Sequence, residues 1–322
     1  MNPYIGHASQ LYGIEEHRLV GGKGDGMRLL QVWNGKGLEM TVSLDRCADI
    51  SRVTIGGMNV GYMSPCGYVA PAFYQPTGAD WLKSFTAGFL TTCGLEGAGS
   101  PCVDEGESVP LHGSIANTPA EHAYWYEDKD ALVINALIRD EVIFGRKFQL
   151  KRQICVSTLE NTFRITDTVV NTGDKVQPLE VLYHMNMGYP LLDEDSVVCV
   201  PYSKVKGRDE HAAEDIDNCL KMEKPQAGYQ EECFYFEFSD NKGFASIYQP
   251  KHNKGLSIEF DTEQLNCFTE WKMMGQRDYV LGLEPGNCYP DGRDVMRNKG
   301  LLKFLNPGQS QEFSFVIRFY EK

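Results

Sequence analysis

Apolar and polar residues alternate with a period of two over much of this chain. In KFQLKRQICV, residues 147–156, positions 147, 149, 151 and 153 are Lys, Gln, Lys and Gln, while Phe148, Leu150, Ile154 and Val156 take the other face. That alternation predicts a half-buried strand. After the turn-like TLEN, FRITDTVV sets Phe163, Ile165 and Val169 against Arg164, Thr166 and Thr168. NTGD, residues 171–174, predicts a turn, and LEVLYHMNM begins another strand after Pro178. Near the C-terminus Phe313, Phe315, Ile317 and Phe319 alternate with Ser314, Val316, Arg318 and Tyr320, and LEMTVSLDR, ADISRVTIGG and MNVGYM read as short successive strands. The stretch YVLGLEPGN, residues 279–287, is a buried strand that stops at Glu284, because Pro285 cannot donate to a ladder and Gly286 turns readily. Helix is expected only over 80–92, with Asp80 as N-cap, and over 211–222. No repeat, low-complexity tract or linker interrupts the pattern. The expectation is one all-β domain over 1–322, a large antiparallel β-sandwich with a few short helices.

Composition narrows the possible partners. A net charge of -13, with no local cluster of Lys and Arg, argues against nucleic acid and against an anionic membrane surface. No run of 18 apolar residues exists to span a bilayer. The opening MNPYIGHASQLYGIEEH lacks the apolar core of a signal peptide, so a cytoplasmic location is expected. The ten cysteines form no CxxC pair, which leaves no zinc or redox motif, and no metal site is expected. GGKGDG at 21–26 lacks the GK[ST] ending of a phosphate loop and reads as a flexible turn.

Three residues stand in settings that suit chemistry. His184 lies in LEVLYHMNMGYP, where Asn186, Gly188 and Pro190 end a strand-like run. His112 lies in the Gly/Pro-bounded loop VPLHGSIANTP, and Glu284 closes the strand described above. A carboxylate facing an imidazole suits general acid–base work, since their unperturbed pKa values of about 4.3 and 6.5 bracket mildly acidic pH. The blander reading of each is a hydrogen-bonded core or rim group. The other histidines, and the acidic runs at 104–107 and 193–195, read as structural or solvated.

The order LHG, LYHMNMGYP, YVLGLEPGN resembles the galactose mutarotase (aldose 1-epimerase) superfamily. LDRCADI (44–50), FLTTCGLEGAG (89–99), FTEWKMMG (268–275) and the late LNPGQSQEF resemble its uncharacterised mutarotase-related branch, a domain of unknown function. The resemblance covers nearly the whole chain. It implies a cofactor-free isomerase of carbohydrate metabolism acting on a small-molecule sugar or sugar derivative. Glu284 would be the base that takes the anomeric hydroxyl proton, and His184 the acid that protonates the ring oxygen. His112 and Asn186 would bind the sugar, with Trp271 offering an aromatic face to it. The superfamily's asparagine–arginine segment is absent; the corresponding region reads VGYMSPCGYVAP, and Arg46, with Asp49 nearby, is the candidate substitute. No residue matches the aspartate that holds sugar hydroxyls in the superfamily. An ion pair of Arg46 with Asp45 or Asp49 is the structural alternative. Two further functions stay open: an aldose–ketose isomerase or other sugar epimerase using the same acid–base pair, and a non-catalytic sugar-binding or sensing protein.

Overall fold

The computed structural model describes residues 3–322, and antiparallel strands dominate it. Eight strands form one sheet in the order Ala120–Asp128, Ala131–Glu141, Lys147–Ser157, Thr162–Asn171, Ser310–Tyr320, Lys254–Asp261, Lys242–Gln249, Val197–Cys199. The period-two segments of the sequence lie here. Phe148, Leu150, Ile154 and Val156 are buried in one strand, and Phe313, Phe315, Ile317 and Phe319 in another.

A seven-stranded sheet packs against this one. Its path runs Lys204–Gly207, Glu232–Glu237, Cys267–Met274, Tyr279–Gly286, Gln177–Met187, Lys303–Leu305, and Leu90–Leu95 also pairs with Gln177–Met187. A third sheet of five strands, from Gly13–Arg18 to Met58–Asn59, collects the N-terminal segments. One apolar cluster, running from Leu30 to Phe319 in sequence, fills the space between the layers. A smaller one, built on Trp81, Phe85, Cys93, Leu182, Cys288 and Met296, lies on the other face of the seven-stranded sheet. That second cluster positions the site.

The helical expectations are corrected. The helical part of residues 80–92 is one 3-10 turn, Asp80–Ser84, with Ala79 and not Asp80 at its N-cap. The chain then turns through Gly88, at φ 71, into the strand Leu90–Leu95. All six residues of that strand are buried, so both faces are covered and no alternation shows. Residues 211–222 hold a single helical turn, Glu210–Glu214, capped by the Asp209 carboxylate, and a 3-10 turn, Ile216–Asn218. Among the described residues no helix is long and apolar enough to cross a membrane.

Candidate active site

Three neighbouring strands of the seven-stranded sheet supply the floor of a cavity of about 310 Å³. Gln177–Met187 pairs with Tyr279–Gly286 so that Leu182 faces Gly286 and Asn186 faces Gly282. In that register His184 stands directly opposite Glu284. On the next strand Thr269 stands opposite Glu284, and Trp271 opposite Gly282. Side chains in directly opposed positions project from the same face of a sheet, so His184, Glu284, Thr269 and Trp271 converge. All four line the cavity.

Gly282 makes room for the carboxylate. A Cβ at that position would sit 2.3 Å from Glu284 Oε1 and 3.0 Å from Trp271 Cβ. The Glu284 side chain therefore lies back over Gly282, and His184 Nδ1 comes within 3.1 Å of its Oε1. The two atoms are close without hydrogen-bond alignment, and each is buried with no hydrogen-bond partner. The buried Thr269 hydroxyl is unpartnered as well. Burial pushes the Glu284 carboxyl well above the ordinary carboxylate range; Glu231 adds to the rise and Arg208 opposes it. Burial, helped by neighbouring His112, pushes the His184 imidazole well below its ordinary range. Two buried groups of this kind share a single proton most cheaply as uncharged carboxyl plus imidazole.

The walls come from loops. Trp81, Leu82, Phe85 and Leu111 form an apolar side, and Pro290, Gly99 and Ser100 close another. The His112 ring lies 4.7 Å from Trp81 and 5.5 Å from His184 between ring centroids. Its backbone is locked in the left-handed region, φ 56, by hydrogen bonds from its N–H to Gly99 O at 2.9 Å and from Gly94 N–H to its O at 3.0 Å. Gly99 N–H donates to His112 Nδ1 at 3.3 Å, which assigns the ring proton of the neutral form to Nε2. Burial alone lowers the His112 pKa to about 4, so the ring is a neutral Nε2–H donor at pH 7.

The remaining wall is polar, and no sequence pattern pointed to it. Arg208 donates to Glu231 Oε1 at 3.1 Å, to Cys233 Sγ at 3.0 Å and to Asp209 at 3.3 Å. Trp271 Nε1 donates to Glu231 Oε2 at 2.8 Å, which orients the indole. Arg208, Glu231 and Cys233 all line the cavity. Nothing in KVKGRDE or QEEC singles them out; the pairing of Lys204–Gly207 with Glu232–Glu237, and of Cys233 with Trp271, brings them to the floor strands.

Of the residues singled out in the sequence, His184, Glu284, His112 and Trp271 come together here. Arg46, Asp49 and Asn186 lie elsewhere. Arg46 is buried, its Nη1 donating to Val69 O at 2.9 Å, and burial lowers its pKa to about 10. It pairs with neither candidate aspartate. Asp45 holds Arg28, and Asp49 accepts from Thr92 N, Thr92 Oγ1 and Arg152 Nη1 at 2.8, 2.6 and 2.6 Å. Arg46 and Asp49 share a crevice of about 10 Å³, too small for a sugar ring. Asn186 is fully buried beside the floor, its Nδ2 donating to His184 O at 3.0 Å. Among the described residues no group of three or more His, Cys, Asp and Glu side chains is arranged to hold a metal ion.

Known proteins with this architecture were found by structure. A candidate aldose 1-epimerase from Klebsiella pneumoniae superposes with a TM-score of 0.91 at 27% identity, over 98% of this chain and 86% of that one. A galactose mutarotase-like protein from Clostridium acetobutylicum gives 0.68 at 15%, over 97% and 100%. The galactose 1-epimerase of Lactobacillus acidophilus gives 0.66 at 13%, over 96% and 99%. No curated protein matches the sequence. A model of the family described as domain of unknown function DUF4432 matches residues 24–319. The chain belongs to that DUF4432 family and folds as a galactose mutarotase-like β-sandwich.

Proposed function

We propose that the protein is a cofactor-free aldose 1-epimerase that interconverts the anomers of a sugar bound between the His112–Trp81 wall and the Trp271–Glu284 floor. The observation that carries this reading is the buried pair His184–Glu284, 3.1 Å apart, without hydrogen-bond partners and facing a cavity of about 310 Å³. Buried polar atoms are ordinarily satisfied, and orphans at a cavity suit a site completed by its ligand. The related proteins described as epimerases and mutarotases support the same reaction class.

Ring opening needs one proton removed and one supplied. The shared proton first passes from Glu284 to His184, 3.1 Å away, giving carboxylate and imidazolium. Glu284 then takes the proton of the anomeric hydroxyl while the His184 imidazolium delivers its proton to the ring oxygen, and the C1–O5 bond breaks to give the aldehyde. The pair is left as carboxyl plus neutral imidazole, the tautomer that burial favours. Rotation about C1–C2 followed by the reverse transfers closes the other anomer. Neutral His112, with its proton on Nε2, donates a hydrogen bond to a sugar oxygen, and Trp271 packs on the C–H face of the ring.

Polarimetry and saturation-transfer NMR on freshly dissolved aldoses test this directly. The expected outcome is acceleration of mutarotation for at least one sugar, with no solvent deuterium entering a carbon position. Carbon-bound deuterium would move the assignment to aldose–ketose isomerisation. Tight sugar binding without any turnover would make the protein a sugar sensor.

A further inference from the structure

We propose that a second cavity, outside the acid–base site, binds a phosphate monoester carried on a small cyclic body. It is about 400 Å³ in volume and lies where three floor strands end or begin. Tyr189 follows the His184 strand, Arg277 sits in the loop joining the Trp271 strand to the Glu284 strand, and Tyr279 opens the latter. Gly188, which backs Tyr62 of this cavity, lies four positions along the chain from His184. That is roughly 13 Å along a strand, so the two sites are neighbours without sharing a lining residue.

The chemistry of the lining points to an anion. Arg52 and Arg277 both line the cavity, and no carboxylate does. In a chain of net charge -13 the other arginines are engaged: each makes an ion pair or donates a side-chain hydrogen bond. Arg46, for instance, reaches the Val69 carbonyl and Arg164 the Ser314 hydroxyl. Of the arginines among the described residues, Arg52 and Arg277 alone make no side-chain hydrogen bond or ion pair. Two guanidiniums left free in one concavity complement a group that carries close to two negative charges and offers several acceptor oxygens. A phosphate monoester at pH 7 fits that description.

Tyrosines supply the rest of the recognition surface. Tyr62, Tyr189 and Tyr279 line the same cavity, and Tyr189 is 72% exposed, leaving its ring free to stack on a ligand. The Tyr62 hydroxyl donates to Arg277 O at 3.2 Å, which ties the Arg277 loop to the tyrosine wall. Asp278, the one carboxylate on that loop, does not line the cavity and accepts from the Tyr62 hydroxyl at 3.5 Å.

Isothermal titration calorimetry at low salt tests the site with three probes: inorganic phosphate, a hexose 6-phosphate and a nucleoside 5′-monophosphate. At least one organic monoester is expected to bind more tightly than inorganic phosphate, and the tighter of the two identifies the body. Arg52→Gln/Arg277→Gln should weaken that binding at least tenfold, while mutarotation of an unphosphorylated sugar stays within twofold of wild type. Tyr189→Ala should weaken the organic ester but not inorganic phosphate. Glu284→Gln should leave phosphate binding intact, so failure of the epimerase reading and failure of this one are told apart. No heat with any probe at millimolar concentration, or equal affinity in the double variant, overturns the proposal.

Discussion

The proposed acid–base pair is held at a cost that its own substitution should reveal. Glu284→Gln keeps volume and hydrogen bonding but removes basicity, so turnover should fall by roughly 10²–10⁴-fold, the usual worth of general acid–base catalysis. His184→Asn should lose a similar factor, and the double variant far less than the product of the two, since both groups serve one transfer. Stability should move the other way. The folded pKa of Glu284 is raised, so above the ordinary carboxylate range the unfolded chain ionises while the folded chain resists, and folding loses free energy as pH rises towards the folded pKa. Glu284→Gln removes that loss and should raise Tm by a few degrees at pH 7, in keeping with the usual conflict between active-site chemistry and stability. An unchanged or lower Tm would contradict the burial of this carboxyl. The pair also sets the pH profile. With His184 lowered and Glu284 raised, one shared proton persists over a wide window, so kcat/KM should show no inflection near 6.5, where a solvated imidazole titrates. The expected stop at Glu284 is corrected, since the strand Tyr279–Gly286 continues two residues past it and Pro285 and Gly286 pair with Phe268 and Cys267. His184 and Glu284 were legible in the sequence as polar groups set in apolar strand runs. Arg208 and Glu231 were not, because a charged run looks the same whether it faces water or lines a cavity across a strand pair.

At the scale of elements, what joins the layers is a buried charge network that alternation alone does not disclose. Arg152 occupies an inward position of the strand Lys147–Ser157, between Leu150 and Ile154. Its guanidinium donates to Asp167 on the next strand at 2.9 and 2.6 Å, to Cys47 O and Asp49 at 3.0 and 2.6 Å, and to Thr92 at 2.7 Å. The eight-stranded sheet is thereby fixed to the N-terminal sheet and to the strand beside that of His184. Asp49, a sugar-binding candidate by its position after Arg46, is one of these fasteners. Arg152→Met leaves Asp49 and Asp167 buried without their cation and should cost about 3–5 kcal/mol in denaturant unfolding. A loss below about 1 kcal/mol would mean that the two aspartates are satisfied without it. The strands most visible in the sequence are those with one covered face, such as 147–157. Leu90–Leu95 and the second half of Gln177–Met187 are covered on both faces and lose their alternation. That loss is why 80–92, with apolar residues at 81, 85 and 89, resembled a helix.

Across the whole molecule, the cavity exists only when distant segments meet. Its apolar wall comes from residues 81–112, its polar wall from 208–233, and its floor from 184 and 269–284, with Pro290 closing one side. The strands that carry the floor also face the apolar cluster that runs from Leu30 to Phe319, so the site cannot open without disturbing the shared core. Two consequences follow for unfolding. One cooperative transition is expected, as for a single domain over 1–322, because the floor strands share the main apolar cluster with the eight-stranded sheet and without it keep only the small cluster around Trp81 and Met296. A sugar that binds the cavity should shift that whole transition, since it binds the folded form alone; at a hundredfold excess over Kd the stabilisation is about 2.7 kcal/mol, a rise of a few degrees in Tm. Differential scanning calorimetry with and without a converted sugar reads both at once. The indole emission should change over the same ligand range, as Trp81 and Trp271 both line the cavity, and Trp271→Phe should remove much of that change. Two resolved transitions, with the sugar shifting one of them and leaving the other in place, would show that the cavity belongs to a separately folding part and would overturn the single-domain reading.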